Sequence, residues 1–162
     1  MKQTKETLKV AIVASIYVVL TFIFLPFSFS FIQFRLSEIL CLLSTKYKWS
    51  IISITIGCFL SNLLMGGLGM IDVVFGTAAS LIACVFSYKL RNKRYKGYPL
   101  LSGLAIVLCN AIIVGIEYSI IFNNIRIMPI YIAQIGISEF VVISIGMFLY
   151  PKLEKIIDKY LG

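Results

Sequence analysis

The chain has 162 residues, 60% of them hydrophobic and 14% charged, with a mean hydropathy of +0.98 and a net charge of +8. A soluble domain carries roughly 45–50% apolar and about 25% charged residues, and disorder needs low hydrophobicity, so both are excluded. What remains is an integral membrane protein, all-α, with room for six transmembrane helices of about 20 residues and little else.

The predicted helices follow in chain order within one membrane domain, 1–162. Helix one covers about 8–25, behind the charged start MKQTKETLK. That start resembles a signal peptide, but no small-residue cleavage site follows, so the segment reads as a membrane helix. Pro26 is expected to end it. In PFSFSF the alternation of Phe27, Phe29 and Phe31 with Ser28 and Ser30 predicts an extended segment. Helix two is short, about 34–44. TKYKW marks a basic aromatic boundary, and helix three runs about 49–64. MGGLGM is a tight glycine-rich turn into helix four, about 70–90. RNKRYKGYP is a solvated basic loop before helix five, about 99–122. Helix six covers about 129–150. Pro151 is expected to kink or end it, leaving 151–162 as an amphipathic tail at the membrane surface.

Charge placement orients these helices. With six crossings, Lys2, Lys5, Lys9, Lys46, Lys48, Lys89, Arg91, Lys93, Arg94, Lys96, Lys152, Lys155 and Lys159 share one side, and only Arg35 and Arg126 fall on the other. Cytoplasmic loops carry the excess of Lys and Arg, so both termini are expected in the cytoplasm. The same bias accounts for the net charge without nucleic acid.

Ionisable groups inside membrane segments are costly and commonly functional. Glu38, Asp72, Glu117 and Glu139 qualify, with Arg35 and the amides Gln33, Asn62, Asn110 and Gln134. Nearly all of this polarity falls in the outer half of the helices. That pattern predicts a pocket open to the outside and closed below, not a path through the membrane. Structural roles compete. Arg35 and Glu38, three residues apart, could pair on one helix face, and Asn62 and Asp72 could cap the helix ends around MGGLGM. Taken together, four carboxyl groups face one buried guanidinium and call for a ligand rich in N–H donors or carrying a cation. A guanine-like ring fits. Its ring N–H and exocyclic amine can bond one carboxylate side by side, and an amine substituent could pair with a second acid. Glu117 or Glu139 is the expected partner of the ring edge. Phe27, Phe29, Phe31 and Phe34 lie where an outer lid or an interfacial aromatic belt would. Anionic ligands such as folate or biotin would call for more Lys or Arg.

Cys41, Cys58, Cys84 and Cys109 sit singly in apolar segments and read as small core residues. With no His, no metal site is expected. Ala11 and Ser15 form a small-xxx-small pair on helix one, suited to packing or to a partner-facing surface, and Gly76, Ser80 and Cys84 repeat the spacing on helix four. No phosphate-binding loop, nucleophile elbow or H-E-x-x-H motif is present, so any ATP-driven step needs another protein.

The segments IQFRLSEIL, SNLLMGGLGMIDVVFGTAASLIA, CNAIIVGIE and ISEF resemble the QueT family over nearly the whole chain. These are substrate-binding (S) components of energy-coupling factor (ECF) transporters for queuosine precursors. The resemblance implies a six-helix S-component fold in a prokaryotic cell membrane, no catalysis and no cofactor. It implies capture of queuine or 7-aminomethyl-7-deazaguanine outside, and docking on a membrane T subunit driven by two cytoplasmic ATPases. Family motif positions fall on Gln33, Arg35, Glu38, Asn62, Asp72, Asn110, Glu117 and Glu139. The docking motif A-x-x-x-A falls on Ala11 and Ser15, the second position departing from Ala. The competing expectations are an S component for another small vitamin, a stand-alone facilitator and a membrane enzyme using the carboxylates.

Overall fold

The computed structural model describes residues 2–28 and 33–161, the side chains of 2 and 3 excepted. Phe29, Ser30 and Phe31, three residues of the expected extended segment, lie outside the described residues. The described residues are helical apart from short connections. Helix α1 spans Lys2–Ile23, and α2 is a single turn, Leu25–Ser28. A 3-10 helix, η1, spans Leu36–Thr45. Then come α3 (Trp49–Met65), α4 (Met70–Lys89), α5 (Leu100–Ile121) and α6 (Met128–Leu161).

Four of these helices are long and apolar enough to cross a membrane: α1, α4, α5 and the helical stretch through 125–161. The six expected spans therefore divide into four long helices and two shorter apolar ones, η1 and α3.

Neighbours in sequence are neighbours in space. α1 packs on α3, α3 on α4, α4 on α5 and α5 on α6, while η1 touches all five. Every residue of η1 from Ser37 to Thr45 is buried. The sequence suits a tight coil there, because the hydroxyls of Ser44 and Thr45 donate to carbonyls three residues back, Cys41 and Leu42, at 2.6 and 2.7 Å. A ten-residue 3-10 helix is long for its kind. The surrounding helices enclose it. Lipid tails are as apolar as Leu, so close packing rather than water exclusion holds such helices together. Gly146 of α6 shows the fit: a Cβ there would lie 2.8 Å from Leu42 Cδ1 of η1. A Cβ on Gly57 of α3 would likewise lie 2.8 Å from Tyr17 Cβ of α1.

Two apolar clusters stack along the bundle. The larger joins Val13 and Tyr17 to Leu40–Leu43, Ile54, Ile106, Ile143 and Tyr150, and the smaller joins Ala79, Val114, Tyr118, Tyr131 and Ile135. Along α5, Asn110 falls between Val107 of the first cluster and Val114 of the second. Along α6, Glu139 falls between Ile143 and Ile135. Asn110 and Glu139 thus belong to a polar layer between the two apolar clusters, and Asp72 and Glu117 lie level with or beyond the second.

Two prolines behave differently from expectation. α1 already ends at Ile23, and Pro26 sits inside the turn α2, where Phe27 and Ser28 are helical and not extended. Pro151 does not end α6, which runs on to Leu161, so the expected surface tail is a continuation of that helix. Proline removes one helical hydrogen bond. The extension is held by contacts from other segments instead. Lys46 pairs with Asp158 at 2.6 Å and Glu154 at 3.2 Å, and the Tyr47 hydroxyl donates to Asp158 at 2.5 Å. Arg94 from the basic loop reaches Glu154 at 3.7 Å and donates to the Tyr150 hydroxyl at 3.1 Å.

Candidate functional site

Glu38 is the hub of the polar layer. It projects from η1 and accepts four donors. The Tyr17 hydroxyl of α1 and Ser80 of α4 (3.1 Å) share Oε1, while Cys41 (2.9 Å) and Asn110 of α5 (3.2 Å) share Oε2. Beside it, Thr21 of α1 donates to Ser37 of η1 at 2.8 Å. Arg35 does not pair with Glu38, as the i,i+3 spacing allowed. Its guanidinium pairs with Asp72 of α4 at 3.2 Å and donates through Nε to the Ser28 carbonyl at 3.3 Å. Both members of the Arg35–Asp72 pair are buried. Tertiary reach overrides helical spacing because Asp72 lies across the bundle at the start of α4.

Asn62 and Asp72 do not cap helices. The Gly66 N–H at the end of α3 is taken by the Asn62 backbone carbonyl, and α4 starts at Met70, after Gly69, with no side-chain cap. The Asn62 side chain instead donates to the Asp72 backbone carbonyl at 3.2 Å, tying α3 to α4. Gly76 is required here, because a Cβ would collide with the Asn62 amide and lie 3.5 Å from an Arg35 nitrogen.

Gln33, Arg35, Glu38, Gly76, Ala79, Ser80, Asn110, Val114 and Glu139 line one small cavity of about 10 Å³. Asn62 and Asp72 lie beside the turn after α3, and the Glu117 side chain hydrogen-bonds that of Asp72. A Cβ on Gly66 of that turn would lie 2.7 Å from Asp72 Oδ2. Gln33 adopts a left-handed backbone conformation, φ 47°. Such a conformation costs of order 1 kcal/mol for a non-glycine residue and clusters at functional sites. It delivers a buried amide to the cavity wall. All eight expected site residues are buried, whereas Gln134 is half-buried and Arg126 exposed.

Hydrogen bonding divides the acids further. The side chains of Glu117 and Asp72 hydrogen-bond one another and the Gln33 side chain hydrogen-bonds Tyr118, while Oε2 of Glu139 and Oδ1 of Asn62 have no partner among the described residues. A cavity this small holds at most about one water, so these atoms sit in packed surroundings. Among the described residues no three His, Cys, Asp or Glu side chains gather as a metal ion would require.

Sequence reasoning passed over Tyr17 and gave Cys41, Ser80 and Gly76 packing roles only. Their signal was weak, since a single Tyr, Ser or Cys in an apolar helix is ordinary packing material. It also passed over the edge-to-face pair Tyr118–Tyr131, centroids 5.7 Å apart, with Phe122 against both. Of the four expected lid phenylalanines, Phe27 is exposed and Phe34 half-buried, joined by a backbone hydrogen bond of 2.9 Å, and the other two lie outside the described residues. Ala11 and Ser15 face outward from α1 and line a shallow groove with Val18, Ile56 and Leu60, whereas Gly76, Ser80 and Cys84 are buried in packing.

Long apolar helices around a buried polar layer define a multi-pass membrane protein. The chain belongs to the QueT transporter family, whose model matches residues 7–155. It is 29% identical, over 96% of each chain, to the queuosine precursor transporter QueT of Lactococcus lactis subsp. cremoris (strain MG1363). No solved structure matches it. It is therefore a transporter-family protein of the prokaryotic cell membrane and not an enzyme.

Proposed function

We propose that this chain is the S component of an ECF transporter and captures queuosine precursors, queuine or 7-aminomethyl-7-deazaguanine, at the outer face with high affinity. The substrate-binding residues are Gln33, Arg35, Glu38, Asn62, Asp72, Asn110, Glu117 and Glu139. The observation that carries this reading is the excess of acceptors over donors among the buried amide and carboxyl groups. Glu139 Oε2 and Asn62 Oδ1 lack a donor among the described residues, and Glu117 and Asp72 share one buried guanidinium and each other. Such atoms are costly unless a ligand supplies the missing bonds. A deazaguanine presents several N–H groups and one carbonyl. It is far larger than the cavity, so the walls must part to admit it. The chain crosses the membrane six times with both termini cytoplasmic, in line with the placement of its Lys and Arg residues. The outward face of α1 at Ala11 and Ser15 docks on the T subunit, which two ATPases drive. The exposure of both residues supports that role.

A thermal-shift titration of the detergent-purified protein tests the ligand class, because a ligand that binds only the folded state raises the melting temperature. The panel is queuine, 7-aminomethyl-7-deazaguanine, guanine, riboflavin and thiamine. Stabilisation by the two deazaguanines is expected. A response to riboflavin or thiamine instead keeps an S component and replaces its substrate, and no response to any of them overturns the reading.

A further inference from the structure

A groove of about 340 Å³ follows the seam between α5 and α6. Leu100, Leu104 and Val107 form one wall, and Phe140, Ile143 and Met147 the other. Ser144 also lines it, but its hydroxyl is turned onto the Phe140 carbonyl at 2.6 Å, so the groove is apolar in effect. Gly103 lets the flexible Met147 side chain lie against α5, since a Cβ there would stand 2.3 Å from Met147 Cε. From Leu100 to Val107 the helix rises about 10 Å, two-thirds of the roughly 15 Å of hydrocarbon in one leaflet.

The basic loop closes one end of this groove. Residues 89–99 carry five Lys and Arg and no acid. They join α4 to α5, both long and apolar enough to cross a membrane, so the loop lies at headgroup level. It spans the ends of both walls. It leads straight into Leu100 of α5, and Arg94 donates to the hydroxyl of Tyr150, one turn beyond Met147 of α6, at 3.1 Å. Arg94 is engaged by Glu154. Lys93 and Lys96 are exposed and pair with no carboxylate among the described residues, Lys96 resting over the exposed Tyr95 ring. An apolar slot that ends beneath two uncompensated ammonium groups matches a lipid of negative headgroup, its chain in the slot and its phosphate at the lysines. A second copy packed symmetrically on this seam would set two acid-free basic loops side by side, which like-charge repulsion opposes. We propose that the α5–α6 groove and the loop above it form a binding site for one anionic phospholipid, with Lys93 and Lys96 holding the headgroup. Zwitterionic lipids share the chain but not the net charge, so the site prefers anionic ones.

The test is native mass spectrometry of the detergent-purified protein, titrated with phosphatidylglycerol, with phosphatidylcholine of the same acyl chains, and with glycerol phosphate. One phosphatidylglycerol per chain is expected, bound about tenfold or more tightly than phosphatidylcholine. The double variant Lys93→Gln, Lys96→Gln should bind the two lipids alike. Ser144→Trp fills the slot from an exposed position and should weaken both lipids by about tenfold. Equal binding of the two lipids by the wild type overturns the anionic preference. Phosphatidylglycerol binding that survives Ser144→Trp unchanged overturns the groove, and so does its displacement by an equal concentration of glycerol phosphate. A dimer that Ser144→Trp dissociates would put a second copy on the seam in place of the lipid. The wild-type comparison needs no variant to fold, and none of these outcomes depends on which solute the transporter carries.

Discussion

The Tyr17 hydroxyl of α1 donates to Oε1 of Glu38 on η1, across 21 residues of sequence. Tyr17 shares its helix with Ala11 and Ser15, which face the opposite way, outward. One helix therefore carries the proposed docking surface on one side and a wall of the polar layer on the other. Tyr17→Phe removes one of four donors to a buried carboxyl. It should lower stability by about 1–3 kcal/mol, read as a reduced melting temperature in detergent without added ligand.

The acids should separate cleanly by substitution. Glu38→Gln breaks a filled hydrogen-bond shell and should destabilise the protein by about 1–3 kcal/mol. Glu117→Gln replaces a carboxyl that meets only the Asp72 carboxyl with an amide donor, so its melting temperature should equal or exceed that of the wild type. A loss in Glu117→Gln as large as in Glu38→Gln would contradict the contrast drawn between them.

Gln33 couples backbone strain to a ligand-facing amide. Gln33→Gly relieves the left-handed strain but adds unfolded-chain entropy, so stability should stay within about 1 kcal/mol of the wild type. Deazaguanine binding should nonetheless weaken, by about threefold to tenfold for one lost hydrogen bond. Unimpaired binding would remove Gln33 from the substrate-binding residues.

The α6 extension has a pH window set by Lys46, Tyr47 and Asp158. The Lys46 ammonium and then the Tyr47 hydroxyl hold the Asp158 carboxyl below its usual range. A depressed folded value stabilises at neutral pH and is lost as pH falls through it, here below about pH 4. Lys46 is raised, first by its bond to Asp158, so its contribution is lost only as pH climbs past the usual lysine range. Burial, then the bond to Asp158, raises Tyr47, so the folded state resists its ionisation and is strained by alkali from about pH 10. Trp49, the single tryptophan, has its ring centroid 5.5 Å from that of Tyr47 and reports on this corner. Its fluorescence should be flat between those limits and change beyond each. An acid-side change that persists untouched in Asp158→Asn would rule Asp158 out as its source.

A bulky side chain on the outward face of α1 should separate docking from binding. Ser15→Trp is expected to abolish co-purification with the T subunit and ATPases while ligand-induced stabilisation stays at the wild-type value. Loss of both together would mean that this face serves folding, not docking.

Hydropathy placed α3, α4 and α5 to within a residue or two, because apolar runs bounded by Gly, Pro and basic clusters leave little freedom. The membership of the polar layer was also legible, since a carboxyl group inside an apolar helix has no cheap alternative to burial with partners. Its wiring was not. Helical spacing put Arg35 with Glu38, whereas Asp72 claims it from across the bundle. The continuation of α6 past Pro151 was hidden too, because it depends on Lys46 and Arg94, distant in sequence from the helix they secure. A local rule for proline sees none of that.

The cavity of about 10 Å³ has an electrical consequence. A file of water through the bilayer would let protons and ions run down their gradients. Two packed apolar clusters with one water-sized space between them interrupt any such file. The protein can therefore stand in the membrane while the voltage that the cell maintains does not drain through its packed interior.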